Sequence, residues 1–496
     1  MIERLVLFGA TGDLAGRFLL PALAALRAAG RLPEQMEVRG IAREALDDEA
    51  FRRVVAQRLE RYAGDTPSEA RAALMRSLSY RPVDLDDPRS VAQAVYGTAT
   101  DDGQMRADVA PATVVDGGPS SRPLVAYLAL PPSLFAAAIA ALGAVGLPAG
   151  SRIAVEKPFG EDLDSAVALN RLLAQVAGAG GERAVFRVDH VLGLATVQNL
   201  LGLRVANDVL EPAWNSAHVD QVELLWEETI ALEGRAEYYD RTGALRDAVQ
   251  NHLLQLLCLI AMEPPGTLGE GPLHDRKLEV LRAVRPLRAG EIPSRTRRAR
   301  YTAGRLPGRI ERRVPAYAEE PGVDPERKTE TFAELVLELD SRRWAGTRFR
   351  LRAGKALSRR RKEIVVRFRP PSSSPFGPDV GNVTGNALLI GVDGPEDLAL
   401  RLTGAAAGPP FHPVPLSLTA PPPASALPAY GRVLLDILEG GSTLSVRADE
   451  AEAAWRVVTP VLQAWAAGLV PLEEYPAGSA GPPPLRIPAH PAAGPP

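Results

Sequence analysis

The chain has 496 residues, 46% hydrophobic and 24% charged, which is the composition of a soluble globular protein too long for one ordinary core. A formal net charge of -3 gives no electrostatic case for nucleic acid or an anionic membrane surface as partner, and no window holds the roughly eighteen uninterrupted apolar residues of a membrane span. The single cysteine, Cys258, excludes an internal disulfide framework and suits a reducing, cytoplasmic compartment; within "LLQLLCLIAM" it reads as inert core.

The first third of the chain alternates strand and helix. "RLVLFG" (4–9) is a short buried strand rather than a signal peptide, because its apolar run ends at once in Gly. A helical apolar period follows over 13–29, then a strand at 36–42 and an amphipathic helix over 47–63. "LVAYLAL" (124–130) is a buried strand before an Ala-rich helix, and "SRIAVEKPFG" (151–160) is a strand ending in polar residues, with a helix from 162. Such alternation predicts a parallel, doubly wound sheet of Rossmann-like type over residues 1–185. The stretch 97–122 carries neither period and reads as a surface insertion.

From about 186 the pattern changes. Helical stretches at 193–208 and 243–262 accompany long runs of period-two alternation: "VDQVELLWEE", "TFAELVLELD", "RFRLRAG" and "EIVVRFRP". These predict an α+β domain over 186–480 built on a large, mainly antiparallel sheet. The basic run "RTRRAR" (295–300) reads as a solvated face, 370–379 and 408–428 as loops, and 481–496 as a Pro/Gly-rich tail.

Within this frame a few residues could carry chemistry. In "LFGATGDLAG" (7–16), Gly9 permits a tight turn after the first strand and Gly12 lets backbone N–H groups approach a pyrophosphate at a helix N-terminus. The spacing is Gly-x-x-Gly-x-x-Ala, and a purely structural turn is the alternative. Arg43 ends the second strand, where an arginine accommodates the 2′-phosphate of NADP; the adjacent Glu44 opposes that role, and a surface arginine is the alternative. Lys157 lies just past a strand's C-terminal end, the edge where open α/β sheets bind ligands. His252, one of six histidines, enters an apolar helix and needs a partner for its ring N–H, as a satisfied core histidine would.

Nine ordered blocks then extend the case: "GATGDLA", "YLALPP", "AVEKPFGEDL", "RVDH", "VQNLLGLRVAN", "EGRAEYYDRTGALRDAVQNHLLQLLCLIAMEPP", "RAGKAL", "AWRVVTP" and "YPAGSAGP". Together they strongly resemble the glucose-6-phosphate dehydrogenase family. The resemblance implies NADP-dependent oxidation of glucose 6-phosphate at C1 to 6-phosphogluconolactone by a homodimer or homotetramer. It implies His252 as general base and Asp189 as the acid that orients it. Lys157, Glu228 and Asp247 match residues that hold sugar hydroxyls, and His190 and Lys355 match residues that hold the phosphate. Gly9, Thr11, Gly12, Asp13, Arg43 and Lys157 match the coenzyme site, and no metal is implied.

One loop departs from the family. Where the family pattern reads Asp-His-Tyr-Leu-Gly-Lys-Glu, this chain has Asp189-His190-Val191-Leu192-Gly193-Leu194-Ala195. Gly16-Arg17 also stands where lysines are common. A tyrosine hydroxyl and a lysine ammonium are lost from the phosphate site, and charge-assisted hydrogen bonds are worth about 1.5–3 kcal/mol each. A weakened phosphate site is therefore expected, with Arg360 or another basic residue of "KALSRRRKE" as compensation. Two alternatives stay open: a dehydrogenase of an unphosphorylated or otherwise modified sugar, and a catalytically feeble NADP-binding partner or sensor.

Overall fold

The N-terminal third folds into short strands, the central ones covered on both faces and therefore running as continuous hydrophobic stretches. In the computed structural model they are β1 (Arg4–Phe8), β2 (Glu37–Ala42), β3 (Leu78–Pro82), β4 (Val125–Leu128), β5 (Arg152–Glu156) and β6 (Val185–Val188). All are parallel, in the order β3-β2-β1-β4-β5-β6, the Rossmann arrangement with its crevice at the carboxyl ends of β1 and β4. The structure describes residues 1–96, 122–308, 310–370, 385–393, 398–407, 412–421 and 425–486. The expected insertion at 97–122 thus lies, except for Arg122, outside the described residues. Between residues 64 and 96 the structure adds the helices Ser68–Arg76 and Pro88–Tyr96 and strand β3, none of them read from the sequence.

Two compact units make up the chain: Met1–Gly193 with Gly269–His274 and Ser425–Glu452, and Leu194–Leu268 with Asp275–Ala424 and Ala453–Pro496. The division expected at 185/186 falls inside β6. The first unit continues past it because a later strand, Ser445–Val446, pairs antiparallel with β6, and the Ile2 amide donates to Leu438 O at 2.8 Å. His274 ties both returning segments together, with Nδ1 2.6 Å from a Glu450 carboxylate oxygen and Nε2 3.0 Å from Ser442 O.

The second unit is built on nine strands: β7 (Val219–Glu227), β8 (Thr296–Thr302), β11 (Phe332–Leu337), β12 (Arg348–Gly354), β13 (Arg361–Phe368), β14 (Ala387–Gly391), β15 (Leu398–Ala405), β16 (Pro413–Ala420) and a last strand, Leu472–Pro476. A separate hairpin joins β9 (Gly304–Leu306) to β10 (Arg312–Val314). The sheet order is β16-β15-β14-β13-β7-β12-β11-β8 and then the last strand. Only the β7–β12 pair and the outer pair of β8 with Leu472–Pro476 are parallel. No helix among the described residues is long and apolar enough to cross a membrane.

Three sequence expectations are corrected here. The basic run 295–300 is not a solvated face: Arg295 closes a short helix, Ile292–Arg295, and the rest of the run lies in strand β8. Arg297 and Arg300 pair with Glu473 (3.1 Å) and Glu474 (3.2 Å) on the neighbouring strand, and buried Arg298 donates to Val470 O at 3.0 Å. Part of 408–428, expected as loop, forms β16, whose prolines are tolerated because it is an edge strand. The start of the expected tail is held on the sheet: Leu485 N–H donates to Glu334 (2.9 Å) and Arg350 donates to Leu485 O (3.0 Å). Residues 487–496 lie outside the described residues.

Candidate active site

The turn after β1 is shaped by its glycines. Gly9 has φ +76°, and a Cβ there would collide with Ala129 O, so only glycine lets β1 turn so close to the end of β4. Gly9 N–H donates to Ile41 O at 2.8 Å, and Gly12 N–H closes onto Gly9 O at 2.9 Å. The result is a backbone cradle at the carboxyl end of β1, and these residues fit a pyrophosphate. Thr11 donates its hydroxyl to Glu44 Oε2 at 2.9 Å, and Asp13 accepts from Arg17 at 3.2 Å. Arg43 is exposed immediately after β2, the strand end that meets the adenosine ribose in folds of this type. Because the Glu44 carboxylate is engaged by Thr11, its proximity does not oblige it to face the same ligand as Arg43.

At the ends of β5 and β6 the first unit gathers a polar group. Asp189 is fully buried, and its Oδ1 accepts from Val191 N–H at 3.1 Å, a local bond that turns the chain straight after the strand. The His190 ring stacks on Tyr430 with centroids 5.3 Å apart and planes 14° apart. Val191, replacing the family tyrosine, is wholly buried, so the loop's apolar character is a packing feature. Half-buried Lys157 follows Glu156, the last residue of β5. Glu156 is buried and accepts from the Tyr127 hydroxyl at 2.5 Å. Burial pushes its carboxyl up to about 7 despite the Tyr127 hydrogen bond and the nearby Lys157 ammonium.

In the second unit the polar group forms where β7, β12 and β13 end or begin together. Glu228 follows β7, Lys355 follows β12, and Lys362 is the second residue of β13. The backbone locks this junction: Glu228 N–H donates to Gly354 O (2.8 Å) and Leu357 N–H to Glu228 O (3.0 Å). Lys355 Nζ stands 2.6 Å from Glu228 Oε2, and Lys362 Nζ stands 3.2 Å from Glu228 Oε1. Burial alone would raise the Glu228 carboxyl, but the two ammoniums outweigh it and hold it at about 2. Asp393 accepts from Arg360 (2.5 Å) and lies 3.2 Å from Lys362. One residue before Glu228, the Glu227 carboxylate is fixed between Arg352 and Arg361, each at 2.6 Å.

His252 and Asp247 lie on Leu245–Leu253, a π-helical stretch that leads into the apolar helix Leu254–Ala261. Such widened turns recur at functional sites. Buried His252 packs its ring on Trp226, centroids 4.9 Å apart, and Asp247 is 3.4 Å from the Tyr238 hydroxyl. The Lys362 ammonium also lies over the Trp226 ring, 4.1 Å from its centroid.

Of the residues singled out from sequence, the first unit thus holds Gly9, Thr11, Gly12, Asp13, Arg43, Lys157, Asp189 and His190, all just past the carboxyl ends of strands, in the turns or first helical turns that follow. The second holds Glu228, Asp247, His252, Lys355 and Arg360. Asp393, Trp226, Glu156 and Tyr430 were missed, and Lys362 was reached only as one of the basic residues of "KALSRRRKE".

Two family models cover almost the whole chain: the glucose-6-phosphate dehydrogenase NAD binding domain over residues 6–199 and the C-terminal domain of the same enzyme over 201–487. The chain belongs to the glucose-6-phosphate dehydrogenase family. It is 39% identical over 485 residues to a glucose-6-phosphate 1-dehydrogenase of Mycolicibacterium smegmatis, covering 96% of this chain and 94% of that one. A Treponema pallidum relative of the same name is 38% identical, with 96% and 92% coverage. Among solved structures, the Mycobacterium avium glucose-6-phosphate 1-dehydrogenase superposes with a TM-score of 0.78 at 31% identity, covering 97% of this chain and 96% of that one. A glucose-6-phosphate dehydrogenase in complex with its substrate glucose-6-phosphate superposes with a TM-score of 0.82 at 28% identity, with the same coverage.

Proposed function

We propose that this chain is an NADP-dependent dehydrogenase that oxidises glucose 6-phosphate at C1 to 6-phosphogluconolactone. The observation that carries the proposal is the Glu228–Lys355 pair, 2.6 Å apart, on adjacent strand ends beside the histidine-bearing helix. A carboxylate held ionised next to an ammonium offers an acceptor to a sugar's hydroxyls and a donor to its phosphate without further reorganisation. The full-length family likeness supports the choice of substrate.

In this mechanism Lys157, Glu228 and Asp247 hold the sugar hydroxyls, while His190 and Lys355 hold the phosphate. His252 removes the proton of the C1 hydroxyl, a task for a group that titrates near the working pH. Asp189 orients the imidazole and stabilises its protonated form. Gly9, Thr11, Gly12, Asp13, Arg43 and Lys157 form the coenzyme site. NADP, when bound, supplies the hydride acceptor. The family relationship also carries a homodimer or homotetramer, which light scattering would measure.

A second activity, on an unphosphorylated or otherwise modified sugar, is favoured by one observation: Val191 is wholly buried, so this loop position offers the phosphate no donor. A panel of free and phosphorylated aldoses, assayed with NADP and with NAD, decides between them. Turnover of glucose 6-phosphate with NADP above all other pairs supports the first. Inertness on the phosphate ester with activity on a free sugar overturns it in favour of the second.

A further inference from the structure

The phosphate loop of this chain offers no side-chain donor at Val191 or Leu194, and the sheet of the second unit carries a cation, Lys362, beyond those matched to the family. The helix Ala195–Val205 begins at Leu194, which supplies no side-chain cap. Its first turn is tied to the sheet by Thr196, whose hydroxyl donates to Val392 O at 2.7 Å, and Val392 N–H donates to Lys362 O at 2.7 Å. Lys362 is thus two hydrogen bonds from the first turn of that helix. Its ammonium is 3.2 Å from both Glu228 and Asp393 and 4.1 Å from the Trp226 ring centroid, and its side chain is 10% exposed.

We propose that Lys362 is a specificity-determining residue that binds the phosphate of the sugar, in concert with Lys355 and Arg360. The proposal rests on the assignment of glucose 6-phosphate as substrate. Three points support it. Lys355, Lys362 and Arg360 come from one short segment and meet two carboxylates, Glu228 and Asp393, so a dianion entering here meets three cations already gathered in one place. An ammonium has three N–H donors, and among the described residues Lys362 meets two carboxylates, Glu228 and Asp393. Seating on the indole face restricts the swing of an otherwise flexible lysine, which lowers the entropy lost on binding. Glu228 then serves the hydroxyls, and the ammoniums beside it serve the anionic end of the same sugar.

The test is Lys362→Met, which keeps the stem and removes the charge, assayed with NADP on glucose 6-phosphate and on glucose. The ratio of kcat/KM for the ester to that for the free sugar should fall roughly ten- to a hundredfold, the worth of one charge-assisted contact. Lys362→Arg should recover much of that ratio, because the charge returns in a different shape. Equal losses on both sugars would assign Lys362 to holding Glu228 or the fold, and an unchanged ratio would remove it from the site; either overturns the proposal. The native enzyme in the same experiment separates the two levels of inference. Indifference of the native enzyme to the phosphate defeats the substrate assignment and the proposal with it. A phosphate-dependent native enzyme with an unchanged Lys362→Met ratio defeats the proposal alone.

Discussion

Replacing Glu228 with glutamine separates its charge from its shape. In the native chain two ammoniums, at 2.6 and 3.2 Å, hold the carboxyl at about 2 against an ordinary value of 4.5. That depression corresponds to roughly 3 kcal/mol of folding stability at neutral pH. The sign follows from the depression: the folded state favours the ionised form, so the stabilisation is complete above the unfolded value of 4.5 and is lost as pH falls towards 2. Glu228→Gln should therefore unfold with about 3 kcal/mol less stability at pH 7, and by about pH 3 less than half of that gap should remain. Urea unfolding followed by circular dichroism, on native and variant protein across this range, measures it. The variant should also raise KM for phosphorylated and free sugar alike, because a hydroxyl acceptor is lost in both. A stability gap that stays constant from pH 7 to pH 3 would show that the Lys355–Glu228–Lys362 charge arrangement does not stabilise the fold, and the reasoning would fail.

Arg43→Ala should raise KM for NADP and leave that for NAD nearly unchanged; equal losses with both coenzymes would show that Arg43 does not meet the 2′-phosphate. Glu156→Gln should abolish a fall in melting temperature between pH 4.5 and 7. Burial raises this carboxyl to about 7, so its stabilising protonated form is present below the unfolded value and lost as pH rises through the folded one, a change of the order of 3 kcal/mol. A native melting temperature that is flat over that window, or a variant with the same fall, refutes the assignment. Val191→Tyr with Leu194→Lys should improve glucose 6-phosphate use more than glucose use, compared through kcat/KM; improvement in neither would mean that the loop is not the limiting part of the phosphate site.

Much of the first unit was legible because its strands are buried on both faces. β1 and β4 announce themselves as unbroken apolar runs, and Gly9 marks the turn that only glycine can make. β3 escaped because "LSYRP" is a short edge strand with polar residues and a terminal proline. β8 escaped for a non-local reason: Arg297 and Arg300 look solvated until Glu473 and Glu474, far along the chain, are placed beside them. The same limit applies to the site. Glu228 and Lys355 were named through resemblance to the family, since nothing in their local sequence shows that β7 and β12 lie side by side. Lys362 and Asp393 acquire meaning only through that pairing, and Tyr430 only where the helix Ala429–Glu439 returns to lay it on His190.

The most direct test of the proposed chemistry is the steady-state turnover of His252→Asn on glucose 6-phosphate with NADP, beside the native enzyme and Asp189→Asn. A positioned general base contributes about 10²–10⁴-fold, so His252→Asn should lose at least about a hundredfold in kcat with its circular dichroism spectrum intact. Asp189→Asn should lose less, because the imidazole remains and only its orienting anion is gone. Near-native kcat in folded His252→Asn would contradict the assignment of His252 as the base.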